Sequence, residues 1–164
     1  MHGVEVNLQQ MLNRREKRVT QQNEFLNKYS RPLVSFTLNI PGPIKTNEQI
    51  LKAFTLGKSE LLQKLALFKI LNSIEIHEVT GDELLLSVDA DAVILKNIAL
   101  EIENNSPVGR LFDIDIIDTD GKKLSRENFR KCLICDKQAQ ECARSRNHSV
   151  NEMQIAVLKL LEGL

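Results

Sequence analysis

The 164 residues carry 22 basic and 22 acidic side chains, so the formal charge is zero, and 42% of them are hydrophobic. That composition supports a packed core rather than a disordered chain, and it argues against a general nucleic-acid binder, which needs an excess of Lys and Arg to neutralise phosphates. No apolar run is long enough to span a bilayer and no apolar signal core opens the chain, so a cytoplasmic location without membrane contact is expected.

The elements follow in chain order. Residues 5–28 carry a loose apolar stripe among many Arg, Lys, Glu and Gln, which predicts a helix. Arg31-Pro32 ends it, because the residue before proline is pushed out of the helical region. Leu33–Asn39 reads as a strand and Pro41-Gly42-Pro43 as a stiff loop. Thr46 or Asn47 caps a helix running to about Lys69. Leu71–Val79 alternates as a strand, Thr80-Gly81-Asp82 turns, and Glu83–Val88 returns. Asp89 or Asp91 caps another helix, which ends near Asn104. Leu111–Asp118 is a last strand, closed by the Thr119-Asp120-Gly121 turn. A Cys-containing loop and a helix over 150–161 complete the chain.

This order predicts an α+β fold with a ferredoxin-like βαββαβ core. One domain is expected: an N-terminal helix over 1–31, the core over 32–121, and a Cys/Arg-rich loop with a closing helix over 122–164. In such a sheet the first strand lies antiparallel beside the fourth, bringing the 39–45 loop near 109–115. Alternation then sets Val34, Phe36, Phe112, Ile114 and Ile116 on the helix side. The opposite face carries Ser35, Thr37, Asn39, Asp113 and Asp115, with Glu75 and His77 as further candidates. A solvated sheet face would be polar in any case. Yet Asp113 and Asp115 repel each other at i and i+2, a cost that a cation between them would relieve.

Four stretches carry more information: SFTLNIPGPIK (35–45), GRLFDIDIID (109–118), CLIC (132–135) and CARSRNHS (142–149). In order and spacing they resemble the citrate lyase holo-acyl-carrier-protein synthase family, the apo-citrate lyase phosphoribosyl-dephospho-CoA transferases. The resemblance implies transfer of the prosthetic group from 2'-(5''-triphosphoribosyl)-3'-dephospho-CoA to a serine of the acyl carrier (gamma) subunit of citrate lyase. A phosphodiester forms and pyrophosphate leaves. Such nucleotidyl transfer asks an enzyme mainly to align groups and neutralise developing charge.

On that reading Asp113 and Asp115 hold a divalent cation, Mg²⁺, on the donor triphosphate, or one of them acts as base for the acceptor serine. Gly109 lets backbone approach phosphate closely, and Arg110 either pairs with phosphate or is a surface charge. Asn39, Gly42 and Lys45 serve phosphate, ribose or the leaving pyrophosphate. Arg14 and Arg18, one helical turn apart, either reach phosphates or form a solvated helix face. Cys132, Cys135, Cys142 and His148, in C-x2-C-x6-C-x5-H order, are either a structural zinc knuckle or reduced thiols beside a surface histidine. Arg144 and Arg146 would meet donor phosphates or an acidic carrier surface. Asp118 reads as a turn residue and His77 as a surface strand residue. The competing function is a non-enzymatic ferredoxin-like binding module with a zinc knuckle.

Overall fold

The computed structural model describes residues 1–164. Helix α1 (Leu8–Tyr29) opens on a reciprocal cap: Asn7 accepts the Gln10 amide hydrogen and the Gln10 side chain accepts that of Asn7. It ends at Ser30, which is left-handed at φ 48° just before Arg31-Pro32. Strand β1 (Leu33–Leu38) follows, then α2 (Glu48–Lys64), capped by Asn47 rather than Thr46. The chain turns at Leu65–Phe68, so β2 (Lys69–Glu78) starts where a helix was expected to continue. Gly81, at φ 120°, opens β3 (Gly81–Asp89). Asp91 caps α3 (Ala92–Asn105), and a short 3-10 turn (Val108–Leu111) leads into β4 (Phe112–Ile117). Within the Cys loop lies a helix that the sequence reading left out, α4 (Ala139–Arg144); α5 (Val150–Leu161) closes the chain behind a Ser149–Glu152 capping box.

The sheet has the order β2-β3-β1-β4 with every neighbouring pair antiparallel, the expected ferredoxin-like arrangement of an α+β fold. One face builds the main core. Val34, Phe36, Leu84, Leu86, Phe112, Ile114 and Ile116 pack there against Ile50, Phe54 and Leu61 of α2 and Leu95, Ala99 and Ile102 of α3. Phe36 stacks on Phe54 at 5.1 Å between ring centroids and meets Phe112 edge-on at 5.5 Å. Gly57 lets α2 sit this close, since a Cβ there would come within 2.6 Å of the Phe36 ring and 2.9 Å of that of Phe112. Val157 and Leu161 of α5 complete this core.

The opposite face is not simply solvated, and this corrects one expectation. Helix α1 lies across it, and Phe25 packs with Leu33, Leu85 and Ile117. Gln22 donates to the Ser35 hydroxyl at 3.2 Å. Glu75 and His77 do not belong to this face either. The register pairs Glu75 with Leu84 and His77 with Asp82, which turns both toward α2. There Lys58 pairs with Glu75 at 2.7 Å and the His77 ring meets Phe54 edge-on at 5.9 Å.

Candidate active site

β4 is an edge strand, and its register with β1 sets Thr37 opposite Asp113 and Ser35 opposite Asp115. Both carboxylates leave the face opposite α2 and α3, beyond the strip that α1 covers. The Asn39 amide donates to the Leu111 carbonyl at 2.8 Å, so the Pro-Gly-Pro bend starts beside the strand that bears them. The expected meeting of the 39–45 loop with the start of β4 is therefore present. Gly42 holds the bend at φ 85°, against Gln154 and Val150 of α5.

Asp113 meets solvent, yet the protein crowded around it removes part of its hydration. Its carboxyl is held above the ordinary range by that desolvation and by the charge of Asp115. The cations Arg130, Lys123 and Arg18 pull in the other direction. Lys123 reaches Asp115 at 2.5 Å from the segment alongside β4. Arg130 donates to the Phe112 carbonyl at 2.6 Å and lies 3.1 Å from Glu103. Glu103, on α3 and 3% exposed, accepts the Ile114 amide hydrogen at 2.7 Å and also pairs with Arg126. The outer edge of β4 is thus closed by side chains and by the Leu124 amide on the Ile116 carbonyl.

Other expected site residues lie elsewhere or are already engaged. Arg14 is 3% exposed and, with Arg18, forms ion pairs to Glu83 of β3, so the expected solvated helix face is instead a buried charge cluster. Burial opposes ionisation of Glu83, but hydrogen bonds from Arg18 and Arg14 outweigh it and leave its carboxyl below the usual range. Arg18 remains part-exposed beside Asp113, whereas Arg14 is spent on Glu83. Gly109 is corrected too. It is buried, its amide donates to Ser106, and a Cβ would strike the Ile102 carbonyl oxygen at 2.7 Å. Its small size admits α3, not phosphate.

Lys45 donates to the Ile40 carbonyl at 2.6 Å, which ties it inside its own bend, and burial with the nearby Arg15 charge lowers its pKa. Arg110 donates to the Cys132 carbonyl at 2.6 Å and so braces the Cys loop. Arg144 and Arg146 are exposed and form no ion pair. No hydrogen bond or ion pair links them to Asp113 or Asp115.

The Cys132, Cys135 and Cys142 sulfurs and a His148 ring nitrogen all lie within 4.8 Å of one another. Cys135 and Cys142 are 3.9 Å apart, and His148 Nε2 is 3.2 Å from the Cys135 sulfur. Tetrahedral zinc, with Zn–S bonds of about 2.3 Å, sets its sulfur ligands just under 4 Å apart, so the donor set and its spacing suit a metal ion. The Ile134 amide points at the Cys132 sulfur at 3.5 Å. Amide donation of this kind, from Ile134 and Cys135, draws the Cys132 thiol toward thiolate against the desolvation that opposes it.

Sequence reasoning singled out neither Glu83 nor the group Lys96, Glu103, Lys123, Arg126 and Arg130. These are lone charges in the chain, and only the packing of α1, α3 and the 119–131 segment around the sheet brings them to the carboxylates.

The family model described as apo-citrate lyase phosphoribosyl-dephospho-CoA transferase matches residues 6–163. A Vibrio cholerae serotype O1 (strain M66-2) protein is 41% identical over 156 positions, covering 90% of this chain and 87% of its own. A Streptococcus pyogenes serotype M5 (strain Manfredo) protein is 40% identical over 171 aligned positions, covering 98% and 88%. Both are named "Probable apo-citrate lyase phosphoribosyl-dephospho-CoA transferase". A Citrobacter koseri protein bearing that name without the qualifier is 36% identical over 162 positions, covering 95% and 88%.

Proposed function

The chain belongs to the apo-citrate lyase phosphoribosyl-dephospho-CoA transferase family, and we propose that it attaches the prosthetic group of 2'-(5''-triphosphoribosyl)-3'-dephospho-CoA to a serine of the acyl carrier (gamma) subunit of citrate lyase. The serine oxygen attacks the phosphorus next to the ribose. The bond to the second phosphate breaks, pyrophosphate departs with the electron pair, and the serine proton passes to a base. The whole 164-residue stretch acts as one transferase domain. No helix in it is long and apolar enough to cross a membrane, which accords with action in the cytoplasm.

The observation that carries this reading is the pair Asp113 and Asp115, side by side on the edge strand next to the bend that follows Asn39. Asp113 and Asp115 are the residues that would hold Mg²⁺, and their mutual repulsion suits them to it. Mg²⁺ bound there supplies charge neutralisation to the donor triphosphate. To take that role, Asp115 exchanges its contact with Lys123, which is then free for a phosphate oxygen. In the alternative arrangement Asp115 alone would hold the cation and Asp113 would receive the serine proton. Arg18 and Arg130 act as fixed cations beside the reacting phosphates, and Asn39 offers its exposed amide from the bend.

The Cys132, Cys135, Cys142 and His148 cluster would hold a structural zinc ion. Through the Cys132 carbonyl it fixes Arg110, and it presents Arg144 and Arg146 to the acidic surface of the carrier. The test is incubation with the purified apo carrier subunit, the triphosphoribosyl donor and Mg²⁺, read by intact mass. A gain on the carrier equal to the prosthetic arm, with pyrophosphate in solution, is expected. An unchanged carrier overturns the reading.

A further inference from the structure

Between α3, the 106–110 turn and the 118–131 segment lies a cleft of about 1040 Å³. Seven cationic side chains line it against four carboxylates. Much of this charge is paired: Lys123 with Asp115, Lys122 with Asp120, Lys131 with Asp136. Arg110 is engaged by the Cys132 carbonyl. Three cations and three carboxylates remain, and of these Asp118, half-buried, and Glu127, exposed, take part in no ion pair. Arg126 and Arg130 share the single buried carboxylate Glu103. Lys96 lines the same cleft, is only 8% exposed, and takes part in no hydrogen bond or ion pair.

Its stem is buried while its ammonium reaches the water of the cleft without a protein partner, which leaves it free to meet an anion. Its ammonium feels Arg126 and Arg130, which line the same cleft, as like charges. The lining is otherwise polar, with only four hydrophobic residues, so an apolar occupant has little to bind. Lys96 as a point charge with two guanidinium forks beside it matches an anion that has oxygens on more than one centre.

We propose that this cleft is a diphosphate subsite, in which Lys96, Arg126 and Arg130 receive two linked phosphoryl groups. The inference rests on the transferase reading for its choice of ligand. Two sources share the chemistry: the β- and γ-phosphates that leave as pyrophosphate, and the diphosphate bridge of the dephospho-CoA portion. Lys123, which lines the cleft and reaches Asp115 at 2.5 Å, joins the two sites and favours the leaving pyrophosphate.

The test uses the full chain and two probes, inorganic pyrophosphate and dephospho-CoA. Calorimetric titration of wild type and Lys96→Met gives affinities. Lysine acetylation of wild type, with and without each probe, gives Lys96 protection by peptide mass and does not depend on a variant folding. Binding of pyrophosphate, protection of Lys96, and a loss of at least about tenfold in affinity in Lys96→Met are expected. Protection by dephospho-CoA alone would keep the diphosphate subsite and assign it to the nucleotide bridge. Lys96 acetylated equally with and without both probes, or affinities unchanged in Lys96→Met, overturns the subsite. Carrier labelling by wild type, measured in parallel, separates the two claims: normal labelling with an unprotected Lys96 sinks the subsite alone, and absent labelling sinks the transferase reading.

Discussion

Glu103 on α3 accepts the amide hydrogen of Ile114 at 2.7 Å, so a buried carboxylate holds the edge strand at the residue between Asp113 and Asp115. The same carboxylate answers Arg126 and Arg130. Removing it leaves an amide and two guanidinium groups short of a partner. Glu103→Ala should cost about 3 kcal/mol or more, in the range for breaking a buried pair from one side. Glu103→Gln keeps an acceptor for Ile114 and should cost less. Urea unfolding of the three proteins checks the order.

Asp113→Asn and Asp115→Asn should each lower carrier labelling by about a hundredfold or more while the protein stays folded. Asp113 carries a second expectation. Its folded pKa is raised, so its contribution to stability is full below the unfolded value and is lost as pH rises through the folded one. At neutral pH the charged Asp113 is therefore a burden, and Asp113→Asn should melt no lower than wild type. A variant that is both inactive and clearly less stable would point to a structural role instead.

Treatment with a strong chelator should remove about one metal ion per chain and expose the 131–149 segment to protease before the sheet is affected. Metal content by mass spectrometry and the position of the first cleavage report this. Cys142→Ser should reproduce the effect without chelator, since a structural site with three good ligands holds zinc far less firmly. Metal-free protein with an unaltered cleavage pattern would count against the zinc assignment.

Two ion clusters should leave opposite marks on the pH profile of stability. Glu83 has a depressed folded pKa, so its contribution is present above the ordinary value of 4.5 and drains as pH falls through the lower folded value. His77 is raised by the hydrogen bond from its ring to Asp82, which outweighs desolvation, with Glu75 adding to it. Its contribution is full below the ordinary value of 6.5 and is lost as pH rises through the folded one. Glu83→Gln should flatten the acid limb only, and His77→Gln the limb above pH 6.5. Urea midpoints across pH give both slopes.

The order of elements, the strand pairing and the helix-facing residues were legible because each rests on local signals: caps at Asn47 and Asp91, the turn at Gly81, and alternation along 33–38 and 112–117. The juxtaposition of Asn39 with Leu111 followed from topology alone. The Arg14–Glu83 pair was not legible, since it joins a helix to a strand 69 residues away and depends on how α1 crosses the sheet. The faces of Glu75 and His77 escaped for a related reason. Alternation fixes relative faces within one strand, but only the register with Leu84 and Asp82 fixes which face meets α2. Lys96, Arg126 and Arg130 carry no local pattern at all.

Gly57 brings α2 against the rings of Phe36 and Phe112, directly behind the strand that bears the two carboxylates. With no side chain as spacer, there is no slack layer in which a repacked core could be hidden. A bulkier residue at 57 would press on the rings of Phe36 and Phe112 and so on that strand. Changes in donor or acceptor preference within this architecture therefore have to be written in the bend, the 119–131 segment and the cysteine loop, leaving the hydrophobic layer beneath as a common chassis.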